Sequence, residues 1–218
     1  VPFEVVHIDP SKPIYYKDGQ FICRKIDDEH VEVVSVDRSC EGNLELPENV
    51  VRIGDYAFYG CDRLASVAMP ESVISIGDYC FYGCEALQTV FIPAGTIGND
   101  AFAFCRKLMS IEIGNNVTDI GSYAFNKGGL VYLETPNLRS MGSYALANMN
   151  TLYKINLGSV YQMDTNAVYA LPNLVQIFFS PGSEKRTFDQ YAFTDVGTLT
   201  NNRIRFYVGA SSTSTEVK

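Results

Sequence analysis

Apolar residues recur along most of this chain in two alternating phases. The first is a short run of period two. Leu64…Val67…Met69, Leu87…Val90…Ile92, Leu108…Ile111…Ile113, Leu130…Leu133…Thr135, Leu152…Ile155…Leu157 and Leu174…Ile177…Phe179 share one spacing. Alternation of this kind marks a half-buried strand. It predicts strands near 66–69, 89–92, 110–113, 132–134, 154–157, 176–179 and 203–207. Pro70, Pro93 and Pro136 end such runs, because proline has no N–H to give to a ladder. The second phase is an apolar pair: Val50/Ile53, Val73/Ile76, Val117/Ile120, Leu138/Met141 and Val160/Met163. A glycine follows most of these pairs, then Tyr-Ala-Phe or a close variant. This segment predicts a short helical or 3₁₀ turn, ended near a left-handed position at Gly60-Cys61 and Gly83-Cys84.

The two phases are locked together. The block Ile53-Gly54-Asp55-Tyr56-Ala57-Phe58 returns at Ile76, Ile97 and Ile120, and in weaker form at Met141, Met163 and Phe188. The steps between first residues are 23, 21, 23, 21, 22 and 25. A leucine stands six residues after the motif Phe at Leu64, Leu87, Leu108, Leu152, Leu174 and Leu199, but five after it at Leu130, where one residue is deleted. A period in the low twenties means a solenoid, in which one unit cannot bury its own apolar face and stacking buries it against the next. The expected core ladders are Phe58/Phe81/Phe102/Phe125/Leu146/Val168/Phe193 and Leu64/Leu87/Leu108/Leu130/Leu152/Leu174/Leu199.

The unit L-x-x-[VI]-x-[IL]-P-x-x-V-x-x-I-G-x-Y-A-F-x-G-C resembles the BspA-like leucine-rich repeat, also called the Treponema pallidum type, over about residues 44–208. Later units drift, with Asn126-Lys127-Gly128 and Ala147-Asn148-Met149 in place of Tyr-Gly-Cys. The expected fold is therefore α/β: a right-handed leucine-rich-repeat solenoid with parallel strands, short helical or irregular turns and a small N-terminal β cap. The resemblance implies a secreted or surface-exposed protein, chiefly of host-associated bacteria and some protozoa, with adhesion or host-protein binding as its role.

Residues 1–43 do not repeat. Ile14-Tyr15-Tyr16 and Phe21-Ile22-Cys23 flank Lys17-Asp18-Gly19-Gln20, a hairpin signal, and 31–36 reads as a further strand. A β cap over the first repeat's open edge is expected there. Residues 44–208 form about seven repeats, and 209–218 read as a polar tail or linker.

Composition narrows the function. A net charge of −8 argues against nucleic acid as partner, and no apolar run reaches the length of a membrane span. No secretory signal is visible, and the chain does not start with Met. Cys61, Cys84 and Cys105 share one slot of consecutive repeats, which predicts a buried column of free thiols, because side chains pointing in parallel fit disulfide geometry poorly. Cys80 stands in the usual alanine slot and reads as core, and a bridge between Cys23 and Cys40 is left open. His7 and His30 belong to no ligand or triad pattern. Neither a zinc spacing, a phosphate loop, a nucleophile elbow nor a metalloprotease helix occurs. Asn116-Val117-Thr118 is a lone glycosylation sequon. The Asp55/Asp78/Asp100 column suits turn or helix N-terminal roles better than calcium.

The chain thus reads as no enzyme, with no cofactor and no metal site. What remains is a surface. In each strand the residues between the apolar positions face outward, on the concave side of a horseshoe. One column reads Ser66, Thr89, Ser110, Tyr132, Lys154, Gln176, Arg203; its neighbour reads Ala68, Phe91, Glu112, Glu134, Asn156, Phe178, Arg205. Aromatics and arginine anchor protein interfaces. The expected binding face is Phe91, Tyr132, Glu134, Lys154, Phe178, Arg203, Arg205 and Tyr207. Its expected partner is a protein or glycan, host-derived ones included, bound by a secreted or cell-surface-anchored protein. The alternative is a structural spacer that projects another domain and binds nothing. The Tyr56/Tyr79/Tyr123/Tyr144 column reads as structural stacking between repeats.

Overall fold

A computed structural model describes residues 13–180, 186–198 and 204–208. Over these described residues the chain winds as a β-solenoid of about seven turns with almost no helix. Each turn lays down short strands that pair with the same segment of the next turn. The strands opening the period-two runs are β4 (Gly42–Glu45), β6 (Leu64–Ala68), β8 (Thr89–Ile97), β9 (Ser110–Ile120), β10 (Tyr132–Glu134), β13 (Lys154–Asn156), β16 (Gln176–Phe179) and β19 (Arg205–Val208). A second face carries β3 (Val31–Val36), β5 (Val50–Ile53), β7 (Ser75–Ile76), β11 (Ser140–Met141), β14 (Gln162–Met163) and β17 (Thr187–Phe188). β8 and β9 are long enough to bend from the first face onto the second. A third ladder of β12 (Leu146–Ala147), β15 (Val168–Leu171) and β18 (Phe193–Val196) lies under the later turns.

The register follows the repeat. Ser66 lies opposite Thr89 and Thr89 opposite Ser110. Tyr132, Lys154 and Gln176 form a second aligned row. Between these rows the strand ladder is interrupted, because β10 heads its own four-stranded sheet instead of pairing with β9. The interruption falls at the unit that is one residue short before Leu130, where Gly129 N–H donates to Cys105 C=O at 3.2 Å and Val131 N–H reaches Met109 C=O at a long 3.4 Å.

At the N-terminal end, β1 (Tyr15–Asp18) and β2 (Phe21–Lys25) form a hairpin closed at Gly19, and β2 pairs antiparallel with β3. β3 then runs parallel to β5, and β4 parallel to β6, so the winding path is already entered at residue 31.

The core consists of like residues stacked on like. Phe58, Phe81, Phe102 and Phe125 are fully buried, with successive ring centroids 4.7, 5.0 and 5.5 Å apart. Leu64, Leu87, Leu108, Leu130, Leu152 and Leu174 form the second buried column. Leu199, expected to extend it, lies outside the described residues.

The Tyr-Ala-Phe segments are turns, not helices. Each turn but the one at Phe193, which holds only the second, has two residues in the left-handed region. One stands two places before the motif Phe or its equivalent: Tyr56, Tyr79, Asp100, Tyr123, Tyr144 and Asn166, at φ between 52° and 58°. The other stands two places after it: Gly60, Gly83, Phe104, Lys127, Asn148, Ala170 and Asp195. A left-handed residue costs a non-glycine about 1–2 kcal/mol. Here it is held in place from the next turn. Phe58 N–H donates to Cys80 C=O at 2.9 Å and Tyr56 N–H to Asp78 C=O at 2.9 Å, and the same bonds repeat up the stack. A helix would turn these N–H groups back into their own segment, and the inter-turn ladder would be lost.

Candidate functional site

The turn edge was expected to carry only structural residues, and its geometry is regular. Tyr56 stacks on Tyr79 at 5.0 Å and Tyr59 on Tyr82 at 5.2 Å, both pairs within 4° of parallel. Tyr123 stacks on Tyr144 at 4.9 Å. Between the pairs Asp100 takes the tyrosine slot, so the acidic column is not the one expected: it reads Asp55, Asp78, Asn99, Ser122. Asp55 Oδ1 accepts the Asp78 N–H at 2.8 Å, Asp78 Oδ1 the Asn99 N–H at 2.7 Å and Asn99 Oδ1 the Ser122 N–H at 2.8 Å. These side chains pin each turn to the next. Burial raises the Asp100 carboxyl above its ordinary range, against the opposing effect of its hydrogen bond with Tyr79.

The cysteines belong to the same stacking logic. All six are buried free thiols. Cys84 and Cys105 donate to Phe58 C=O at 3.2 Å and Phe81 C=O at 3.1 Å, one turn back. Cys40 stands beside Cys61 and extends the column by one turn. Burial pushes every thiol up, Cys23 to about 11 and Cys105 to about 12. Only the thiolate is an effective nucleophile. Alkylation of the folded protein should therefore leave Cys61, Cys84 and Cys105 unmodified, while alkylation after unfolding should label all three. Intact mass showing rapid native labelling at these positions would contradict the buried column. Among the described residues no group of three or more His, Cys, Asp or Glu side chains gathers as metal ligands do. His30 is spent in a local turn, its ring nitrogen 2.9 Å from Asp27, and His7 lies outside the described residues.

The outward face of the first-face strands is where chemistry concentrates. Its two halves differ because the ladder is interrupted between β9 and β10. Phe91 belongs to the earlier half, in a shallow depression with Ser66, Ala68, Thr89, Ser110 and Glu112. The other described members of the expected face come together on β10, β13, β16 and β19. Lys154 Nζ lies 5.1 Å from the centroid of Tyr132 and 4.8 Å from that of Phe178. Phe178 stacks on Tyr207 with centroids 4.4 Å apart and planes within 7°. Tyr132 Oη donates to Glu134 at 2.6 Å, and Asn156 Nδ2 donates to the other Glu134 oxygen at 3.1 Å. Partial burial, then the Glu134 bond, raises the Tyr132 hydroxyl well above its usual range. Asn156 was not among the expected site residues. The signal for it was its place opposite Glu134 in the strand register.

The last strand departs from the expected register. Arg205 pairs with Gln176 and Tyr207 with Phe178. Arg205 therefore occupies the column assigned to Arg203, and Tyr207 the one assigned to Arg205. The reason is length: 29 residues separate Gln176 from its partner Arg205, against 22 between Lys154 and Gln176, so a strand placed by the repeat length falls early. Arg203 lies outside the described residues.

Similarity to known proteins follows this architecture. A family model described as BspA type leucine rich repeat region matches residues 38–138 and 95–209, in 6 copies. The crystal structure of the T. pallidum leucine rich repeat protein superposes with a TM-score of 0.69 at 22% identity, over 88% of this chain and 97% of that one. A leucine-rich repeat protein from Bacteroides ovatus ATCC 8483 gives 0.66 at 20% identity, over 95% of this chain and 55% of that one. The pneumococcal vaccine antigen PcpA gives 0.60 at 16% identity, over 94% of this chain and 47% of that one. This chain thus spans about half the length of the latter two. At these identities the likeness is one of fold. A search of curated protein sequences gives no match. With the repeat model running from residue 38 to residue 209, the chain belongs to the BspA type leucine-rich repeat family.

Proposed function

We propose that this chain is a non-enzymatic binding module of a secreted or cell-surface-anchored protein, and that its partner is a macromolecule, including host-derived ones. The contact is the outward face of β10, β13, β16 and β19. The observation that supports it most is the cluster of Tyr132, Lys154, Phe178 and Tyr207, which gathers three aromatic rings and a cation on a chain that is acidic overall. Aromatic rings give large contact area at low conformational cost, and residues near the middle of such a patch carry most of the binding energy. Half-buried rings on a regular sheet are a solubility liability unless a partner covers them. The β1–β3 leaf closes the first turn of the solenoid, and residues 209–218 are a polar tail or linker. Among the described residues no helix is long and apolar enough to cross a membrane.

The spacer reading draws on the regularity of the stack, since like residues stacked on like along its core suit a rod that holds something else at a distance. One double variant separates the two. Phe178→Ala with Arg205→Ala should weaken attachment to host cells and pull-down of host matrix proteins by about tenfold or more, with the melting temperature nearly unchanged. If the parent binds and the variant binds equally, the face is misassigned. If the parent binds neither cells nor matrix proteins, the spacer reading is the better one.

A further inference from the structure

The same face, taken atom by atom, favours one kind of partner. Resting on the binding reading above, we propose that β13, β16 and β19 take an extended, carboxylate-rich polypeptide segment of a partner protein.

The ion pairs among the described residues are Arg24–Glu32, Lys25–Asp28, His30–Asp27 and Arg63–Glu41. None involves Lys154 or Arg205. The nearest carboxylate in the strand register, Glu134, is held by the Tyr132 hydroxyl and the Asn156 amide, and Glu112 lies across the break in the ladder. Lys154 and Arg205 stand in one column on either side of Gln176. Adjacent strands lie ~4.8 Å apart, so the two cations rise from backbones ~10 Å apart. That spacing suits carboxylates a few residues apart on an extended chain.

β13 and β19 flank β16, so Lys154 and Tyr207 cover the two faces of Phe178 from opposite sides. Tyr132 gives a face to the same ammonium. A sugar docks on an aromatic ring by laying its C–H face on an open ring face, and Phe178 has none to offer. The ring edges point outward instead. An aromatic ring carries its positive potential at the edge. Ammonium, guanidinium and ring edges together make a strip that attracts anions. The remainder of a chain of net charge −8 repels them. Opposite potential in one place and like potential elsewhere fixes where an acidic segment lands.

The test uses fluorescein-labelled poly-L-glutamate and fluorescence polarisation on the whole chain. Poly-L-glutamate should bind, and more weakly as salt shortens the range of charge attraction. Lys154→Gln with Arg205→Gln should weaken it about tenfold, and Arg205→Glu alone, at an exposed position, should weaken it measurably with an unchanged melting temperature. Arg106→Gln with Lys107→Gln, on the turn edge, should leave it unchanged. The proposal is overturned if poly-L-glutamate does not bind, if the strip variants bind it as the parent does, or if polygalacturonate displaces it equally well at equal carboxylate concentration. In each of those cases, host-matrix binding that still depends on Phe178 keeps the face as a binding site for a different partner, whereas loss of both removes the face altogether.

Discussion

Replacing Phe81 by Ala will lower the unfolding free energy by about 3–5 kcal/mol, the range for truncating a buried phenylalanine. The ring is fully buried and lies between Phe58, at 4.7 Å, and Phe102, at 5.0 Å. Its removal therefore costs two stacked contacts as well as its own burial. The backbone around it resists collapse, because Phe81 N–H is bonded to Ala101 C=O at 2.7 Å and Phe58 N–H to Cys80 C=O at 2.9 Å. A cavity in such a frame stays open. In a solenoid each turn is stabilised by its neighbours, so the damage should weaken the joint between the early and middle turns most. Denaturant melts measure the loss directly. A loss below about 1 kcal/mol would remove Phe81 from the core ladder and leave the phenylalanine column without its assigned role.

Much of this arrangement was legible in the repeat. Fixed spacing between the Leu-x-x-Val and Ile-Gly-x-x-Ala-Phe blocks implies that equivalent residues meet across parallel strands, and the register of Tyr132, Lys154 and Gln176 follows it. That register sets Lys154 opposite Tyr132 and on the strand beside that of Phe178. Three features were not legible, each for a physical reason. The turns read as helical because Tyr, Ala and Phe avoid positive φ by themselves. Their left-handed conformations come from bonds to the next turn, which a single unit does not possess. The deletion before Leu130 was visible, but not that it splits the outward sheet and isolates Phe91 from the later aromatics. The register of β19 was missed because the chain leaves the repeat length after β16, and nothing in the local pattern says where it rejoins.

The motif glycines leave room for the preceding turn, and this has a measurable consequence. Gly98 has a φ outside the left-handed region, so its backbone is open to any residue. Its lack of a side chain is needed for space. A Cβ there would lie 2.6 Å from Asp78 Oδ1, 2.6 Å from the Gly77 carbonyl carbon and 2.7 Å from Asp78 N. Two of these are backbone atoms that cannot swing aside. Gly77, Gly121 and Gly142 meet the preceding turn in the same way. Gly98→Ala must therefore push two turns apart. It strains the Gly98 N–H to Ile76 C=O bond of 2.8 Å and the Asn99 N–H to Asp78 Oδ1 bond of 2.7 Å. The expected cost is about 3 kcal/mol, at the upper end of the range for overpacking. Gly60→Ala is the contrasting case: at φ +69° nothing stands within 4 Å of the added Cβ. Only left-handed strain opposes it, about 1–2 kcal/mol, and Ala170 already accepts such strain in the equivalent slot. Thermal melts of both variants should therefore rank Gly98→Ala as the more damaging. The reverse order would mean that the turns yield easily to a methyl group and that the glycine column serves chain reversal after all.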